Sequence, residues 1–226
     1  MSMIAEKISK RYFRKTGGAN YFLAVQPLDP EVREGRVTVL TGRSGSGKTT
    51  LLNMLCGLLS PTEGRVLLDG TDLYRLGDKA LSCLRSEKIG VVPQGRSAID
   101  TLSVLENILL PPGLYGRPLP RETALEWMEE LGIAGFRDAR PAELSGGELR
   151  RMAIVRALAS SPTFLFADEP TSDLDDENTH LVLSAFRRCA RDRNKAVFIV
   201  THESDALQYA DSAYRMESGS LTEVSL

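Results

Sequence analysis

The run Gly42-Arg43-Ser44-Gly45-Ser46-Gly47-Lys48-Thr49 has the spacing G-x-x-x-x-G-K-[ST]. Glycines at those positions let the backbone curl, so that successive N–H groups point at phosphate oxygens. A helix that starts there adds the partial positive charge of its N-terminus. In such a loop Lys48 reaches the β- and γ-phosphates, and Thr49 offers a hydroxyl to Mg²⁺. Thr50 supplies a further hydrogen bond near the α-phosphate.

A second group of reactive residues follows an apolar run. Thr163–Ala167 (TFLFA) delivers Asp168 and Glu169 to the C-terminal end of a strand, where open α/β sheets bind ligands. Asp168 is placed to hold Mg²⁺, directly or through water. Glu169 is placed to accept a proton from an attacking water. Pro170 stops the strand.

A third group is Leu144-Ser145-Gly146-Gly147-Glu148, ahead of a helical pattern over Leu149–Leu158. Ser145 is a natural N-cap, and the glycines expose N–H groups at a helix start. That makes a second anion site. One phosphate loop and one separate anion-binding helix start suggest two copies meeting head to tail around a nucleotide.

These residues need a scaffold. Val37–Leu40 (VTVL) reads as a buried strand leading into the loop, and Lys48–Leu59 as the helix after it. Residues 1–41 alternate short apolar and polar stretches, with turns at Gly17–Gly18 and Asp29–Pro30, and read as a small β-rich layer. Gly64–Asp69 and Ile89–Val92 are further strand candidates. Ser97–Leu158 carries helical patterns at Val104–Leu110, Arg121–Leu131 and Glu148–Leu158, with Pro111, Pro112, Pro118, Pro120 and Pro141 between them. It reads as a helical insertion in an α/β domain. Thr163–Ala167 and Ala196–Val200 (AVFIV) are continuous apolar runs, as parallel strands buried on both faces require. A helix near Glu177–Arg191 separates them. Ala213–Met216 and Ser220–Val224, around Gly219, read as a closing hairpin.

The bulk numbers narrow the function classes. The chain has 226 residues, of which 42% are hydrophobic and 26% charged, as in a globular α/β domain. A net charge of −2 argues against a broad nucleic-acid surface. The three cysteines, Cys56, Cys83 and Cys189, have no metal spacing and read as reduced, small buried side chains. No apolar run approaches the ~18 residues of a membrane helix, so contact with a membrane is expected to pass through a partner.

Taken together, these segments resemble the ATP-binding cassette (ABC) family, in the family's order and over nearly the whole chain. Gly42–Thr49 is similar to its Walker A loop, Phe164–Glu169 to its Walker B strand and catalytic glutamate, and Leu144–Glu148 to its signature. Val92-Pro93-Gln94 resembles the Q-loop, Ser172-Asp173-Leu174-Asp175 the D-loop, and Val200-Thr201-His202 the H-loop. The resemblance implies one domain over 1–226. It would have a P-loop NTPase (RecA-like) core with a mixed parallel sheet, an N-terminal antiparallel β layer and an α-helical subdomain at 97–158. It also implies ATP and Mg²⁺ as ligands. Gln94 would ligate Mg²⁺ or the water and sense a membrane partner, and His202 would contact the γ-phosphate. Ser145, Gly146, Gly147 and Glu148, with Asp175, would serve ATP held by the opposite subunit. Tyr12 sits where the family stacks an aromatic on adenine; Phe13, Tyr21 or Phe22 takes its place if the loop is shifted, since stacking needs only a flat π-face. His180 has no such context and reads as surface on a helix.

Two departures concern the seam between copies. Asp173 stands where the family usually has alanine, and Leu149 where it often has glutamine. Leu84–Tyr115 resembles the exporter branch that contains lipoprotein-release, macrolide-efflux and antimicrobial-peptide-resistance ATPases. The implied role is a transporter energy subunit on the cytoplasmic face of the membrane. It would pair with a second copy or a paralogue and with an integral membrane permease. Leu102, Val104, Leu109 and Leu110, with the groove near Gln94, are candidates for that contact. The rival role is a mechanotransmission ATPase that acts with a membrane partner on cell-wall or division machinery without moving a substrate.

Overall fold

A computed structural model of the chain describes residues 1–14, 20–117 and 121–226. The turn expected at Gly17–Gly18 and the breaks expected at Pro118 and Pro120 lie outside the described residues. In chain order come β1 (Ser2–Arg14), β2 (Asn20–Leu28), β3 (Glu31–Arg33), β4 (Val37–Thr41) and α1 (Lys48–Leu55). Then come β5 (Glu63–Leu68), β6 (Thr71–Asp72), α2 (Asp78–Lys88) and β7 (Ile89–Val92). Three helices follow: α3 (Val104–Gly113), α4 (Arg121–Glu130) and α5 (Gly146–Ala159). Last are β8 (Phe164–Asp168), α6 (Asp176–Arg193), β9 (Ala196–Thr201), β10 (Ser212–Glu217) and β11 (Ser220–Val224).

The strands form two sheets. An antiparallel sheet runs β2-β1-β5-β6, with β3 also paired to β1. The larger sheet runs β11-β10-β4-β9-β8-β7. Its strands from β10 to β7 are parallel, and β11 adds an antiparallel edge. The parallel core, the antiparallel N-terminal layer and the helical run between β7 and β8 match the fold class expected from sequence.

The pleat explains why the middle strands are apolar throughout. Successive side chains alternate faces, so one strand feeds two cores. Val37, Val39, Leu165, Ala167, Val197 and Ile199 pack with α3, α4, α5 and α6. Leu40, Phe164, Phe166, Phe198 and Val200 pack with α1 and the antiparallel layer, through Leu51, Leu55, Met3, Ile8 and Val66. Each of the valine, leucine, isoleucine and phenylalanine side chains, when fully buried, stabilises the fold by about 1.5–3 kcal/mol.

Three local readings need correction. The helix expected over Lys48–Leu59 stops at Leu55, because Gly57 turns the chain at φ 73°. Helix α2 was not anticipated; its residues are only half-buried or exposed, so its apolar periodicity is weak. Of the candidate membrane contacts, Val104 is fully buried and Leu102, Leu109 and Leu110 are half-buried. Leu58, Ile99, Leu114 and Tyr115 are exposed apolar residues nearby. Of the three cysteines expected to be buried, Cys56 and Cys189 are and Cys83 is only half-buried; burial pushes the Cys56 and Cys189 thiols up to about 12 and about 11. No helix among the described residues is long and apolar enough to cross a membrane.

Candidate active site

The phosphate loop hangs between β4 and α1. Two of its glycines are dictated by space. A Cβ on Gly42 would lie 2.4 Å from the Met216 carbonyl oxygen, and one on Gly47 would lie 2.2 Å from that of Ala24. Gly47 also has φ 107°, in the left-handed half of the backbone map. Helix α1 begins at Gly47 with no side-chain cap among the described residues, so its first N–H groups stay open to an anion. Lys48 folds back over the loop. Its Nζ donates to the carbonyl oxygens of Gly42 at 2.7 Å and Arg43 at 3.2 Å.

A cleft of about 730 Å³ opens over this loop. Arg43, Ser44, Gly45, Gly47, Lys48, Thr49 and Thr50 form one wall, and Gln94, Glu169, Ser172 and His202 another. Gly42 and Ser46 line an adjoining cleft that also reaches His202. Tyr12 and Phe22 also line the cleft, with ring centroids 5.8 Å apart and tilted by 30°. Register separates the aromatic candidates. Tyr12 pairs with Phe22 across β1 and β2, and Phe13 with Tyr21 one step on. The pleat therefore sends Phe13 and Tyr21 to the opposite face, where they pack on each other. Phe22 is thus a second ring on the cleft.

Strand β8 carries the acidic pair to the floor. Asp168 is 3% exposed, and its Oδ1 has no hydrogen-bond partner among the described residues. Burial pushes its pKa up, and Glu169 adds to this; the Thr49 hydroxyl, then Lys48 and Arg150, pull it back only in part. Glu169 sits at φ 49°, an unusual backbone for a side chain of this size. Its N–H is held by the Val200 carbonyl at 2.8 Å. Its Oε2 accepts from the His202 N–H at 3.2 Å and meets His202 Nδ1 at 2.9 Å. Lys48 Nζ lies 3.9 Å from Oε1. A carboxylate oxygen accepts at such a contact, which calls for the ring tautomer that donates through Nδ1; His202 also lines the cleft.

The remaining candidates are not brought to this cleft within one chain. Ser145 caps α5, accepting from the Glu148 N–H at 3.3 Å, while Glu148 Oε2 accepts from both the N–H and hydroxyl of Ser145. Those bonds hold the Glu148 carboxyl below the usual range. Gly146 and Gly147 form the first turn, and none of Ser145–Glu148 lines the cleft. Asp175 caps α6 through Asn178, whose backbone N–H and side chain lower its pKa. It too is absent from the cleft lining. His180 is exposed, with Nδ1 against the Tyr209 hydroxyl. Arg150, which the motif reading passed over, is 6% exposed and touches both Pro93 and Ser172.

Comparison with known proteins identifies the family. The family model described as "ABC transporter" matches residues 25–172. The lipoprotein-releasing system ATP-binding protein LolD of Bdellovibrio bacteriovorus is 36% identical over 96% of this chain and 98% of its own. The ABC transporter ATP-binding protein YtrE of Bacillus subtilis is 34% identical over 92% of this chain and 90% of its own. Among solved structures, the ATP-binding cassette MJ0796, dimeric in a post-hydrolysis state with ADP and Pi, superposes with a TM-score of 0.90. It is 29% identical and covers 99% of both chains.

Proposed function

Because the chain belongs to the ABC transporter family of ATPases, we propose that it is the energy subunit of a membrane exporter, closing head to tail with a second copy around ATP. The observation that carries the reading is the separation of the two anion sites. The phosphate loop and the Ser145–Glu148 helix start do not share a cleft, and in this reading a second subunit completes each site. The dimeric MJ0796 neighbour supports this arrangement.

In this reading Tyr12 and Phe22, neighbouring rings on one face of the β1–β2 pair, offer the aromatic surface on which the base stacks. The loop amides and the N-terminus of α1 hold the phosphates. Lys48 exchanges its bonds to the Gly42 and Arg43 carbonyls for the β- and γ-phosphates. The site also fits Mg²⁺: Asp168 Oδ1 is buried with no hydrogen-bond partner among the described residues, and the carboxyl lies beside the Thr49 hydroxyl. Thr49, Asp168 and Gln94 would hold the ion, which neutralises charge on the phosphate oxygens when bound. Glu169 accepts the proton of the attacking water at its carboxylate, and His202 holds that carboxylate through Nδ1 while Nε2 faces the γ-phosphate. Ser145, Gly146 and Gly147 then meet the γ-phosphate in the other subunit, so closure depends on a group that hydrolysis removes. Glu148 acts as the cap that orients Ser145, and Asp175 as the cap of α6 at the seam.

The membrane partner docks beside α5. Leu58, Pro111, Pro112, Leu114 and Tyr115 line an open groove there with Arg85 and Arg156, which suits an amphipathic helix from a permease. That contact keeps the subunit at the cytoplasmic face. The relatives named for lipoprotein release support the exporter branch. The test is Glu169→Gln. It should bind ATP, accumulate as a dimer and lose about 10²–10⁴ in turnover, the worth of a general base. Substantial hydrolysis by this variant would remove Glu169 from the mechanism. Vesicles holding the co-purified permease should move substrate on ATP addition; ATP turnover without movement would favour a force-transmitting role.

A further inference from the structure

Helix α5 grips the segment around Gln94 at two points. Arg150 Nη1 donates to the Pro93 carbonyl at 2.8 Å, immediately before Gln94. Six residues later on the same helix, Arg156 donates to Ser97, through Nη1 to its carbonyl at 2.8 Å and Nη2 to its hydroxyl at 2.6 Å. Arg150 does more. Its Nη2 donates to Ser172 Oγ at 2.8 Å, and that hydroxyl donates to the Glu169 carbonyl at 2.9 Å. One buried guanidinium therefore bridges the loop before Gln94 and the loop after Glu169.

Arg150 is 6% exposed; its hydrogen bonds go to a carbonyl and a hydroxyl, and its charge also acts on the buried Asp168 carboxyl. A buried charge with no directly bonded carboxylate is expensive to keep unless its place is fixed by such bonds. Glu169, meanwhile, stands at a left-handed backbone angle that surrounding contacts must maintain. A planar fork can hold two loops at fixed separation; an ammonium cannot. We propose that Arg150 is a positioning residue that makes α5 and the Gln94 and Glu169 loops move as one body. Engagement of the α5 start by the partner subunit's nucleotide would then set the general base and Gln94 together. This rests on the dimeric reading of the site.

The experiment is steady-state ATPase on the purified full chain, with Glu169→Gln run in parallel. Arg150→Met should lower kcat about 10- to 100-fold, the order that a displacement near 1 Å costs, with KM for ATP within about threefold. Arg150→Lys should restore little of it. Ser172→Ala should lower kcat less, and the double variant should be no worse than Arg150→Met, since both remove one bridge. Should Arg150→Met fail to fold, Ser172→Ala and Arg150→Lys still read the bridge. Wild-type kcat in Arg150→Met, full rescue by lysine, or additive losses in the double variant would overturn the proposal. Turnover by Glu169→Gln would instead overturn the reading of the site on which it rests.

Discussion

Asp168→Asn should destroy Mg²⁺-dependent hydrolysis and, at the same time, stabilise the protein free of nucleotide and metal. The carboxylate is 3% exposed, and one of its oxygens is unpaired. Its pKa is raised above the ordinary 3.8 by burial first, despite Thr49, Lys48 and Arg150. The folded protein thus disfavours the ionised form more than water does. An unsatisfied buried polar group costs about 1–3 kcal/mol. Asparagine keeps the shape and a polar oxygen but removes the buried charge; taking the relief as about 1–2 kcal/mol, the order that protein mutational data assign to burying a polar group, sets the scale. For a chain of this size each kcal/mol moves Tm by about 2–4 °C, so a rise of roughly 2–8 °C is expected at neutral pH in chelator. A carboxyl whose pKa is raised on folding contributes stability below its unfolded value, and that contribution is lost as pH rises through the folded value. The advantage of asparagine is therefore largest at neutral pH and shrinks as the medium is acidified through the raised pKa. Added Mg²⁺ and ATP should reverse the order, because only the wild type gains the full binding energy. Differential scanning fluorimetry across pH reads all of this. A lower Tm for Asp168→Asn in chelator, or a gap that ignores pH, would refute the reasoning, as would surviving Mg²⁺-dependent turnover.

Two further outcomes follow from the geometry. Phe22→Ala should weaken ATP binding about 3- to 10-fold, the worth of one aromatic contact of about 0.5–1.5 kcal/mol, whereas Phe13→Ala, on the opposite face, should change it less than twofold in a fluorescent-nucleotide titration. Gly47→Ala should abolish nucleotide binding and lower Tm more than Gly45→Ala does, because its Cβ meets the Ala24 carbonyl at 2.2 Å while none lies within 4 Å of Gly45.

What was readable in advance divides along a physical line. The phosphate loop, the acidic pair and the signature each lie on consecutive residues, so their spacing is their geometry. The buried strands showed as apolar runs because both faces are covered. What needed coordinates was assembled across elements. The choice of Phe22 over Tyr21 depends on the β1–β2 register, which bulges between Ile8 and Arg11. Arg150 carries no signal in sequence, since an arginine inside a helix is ordinarily solvated. The capping role of Glu148 did have a signal, the S-x-x-E spacing, and it went unread beside the anion-site reading. The early stop of α1 was likewise marked by Gly57.

The position of β4 also shapes how the protein is made. It lies between β9 and β10, and Val37 pairs with Val197. About 160 residues must be translated between strand and partner, which at ~5–20 residues per second takes roughly 8–30 s. Throughout that interval the nascent chain carries its complete phosphate-binding sequence with no sheet to hang it from. The segment written early is therefore finished late. A ribosome that stalls before Ala196 leaves an apolar strand bare and a loop without shape, a product for chaperones or proteases.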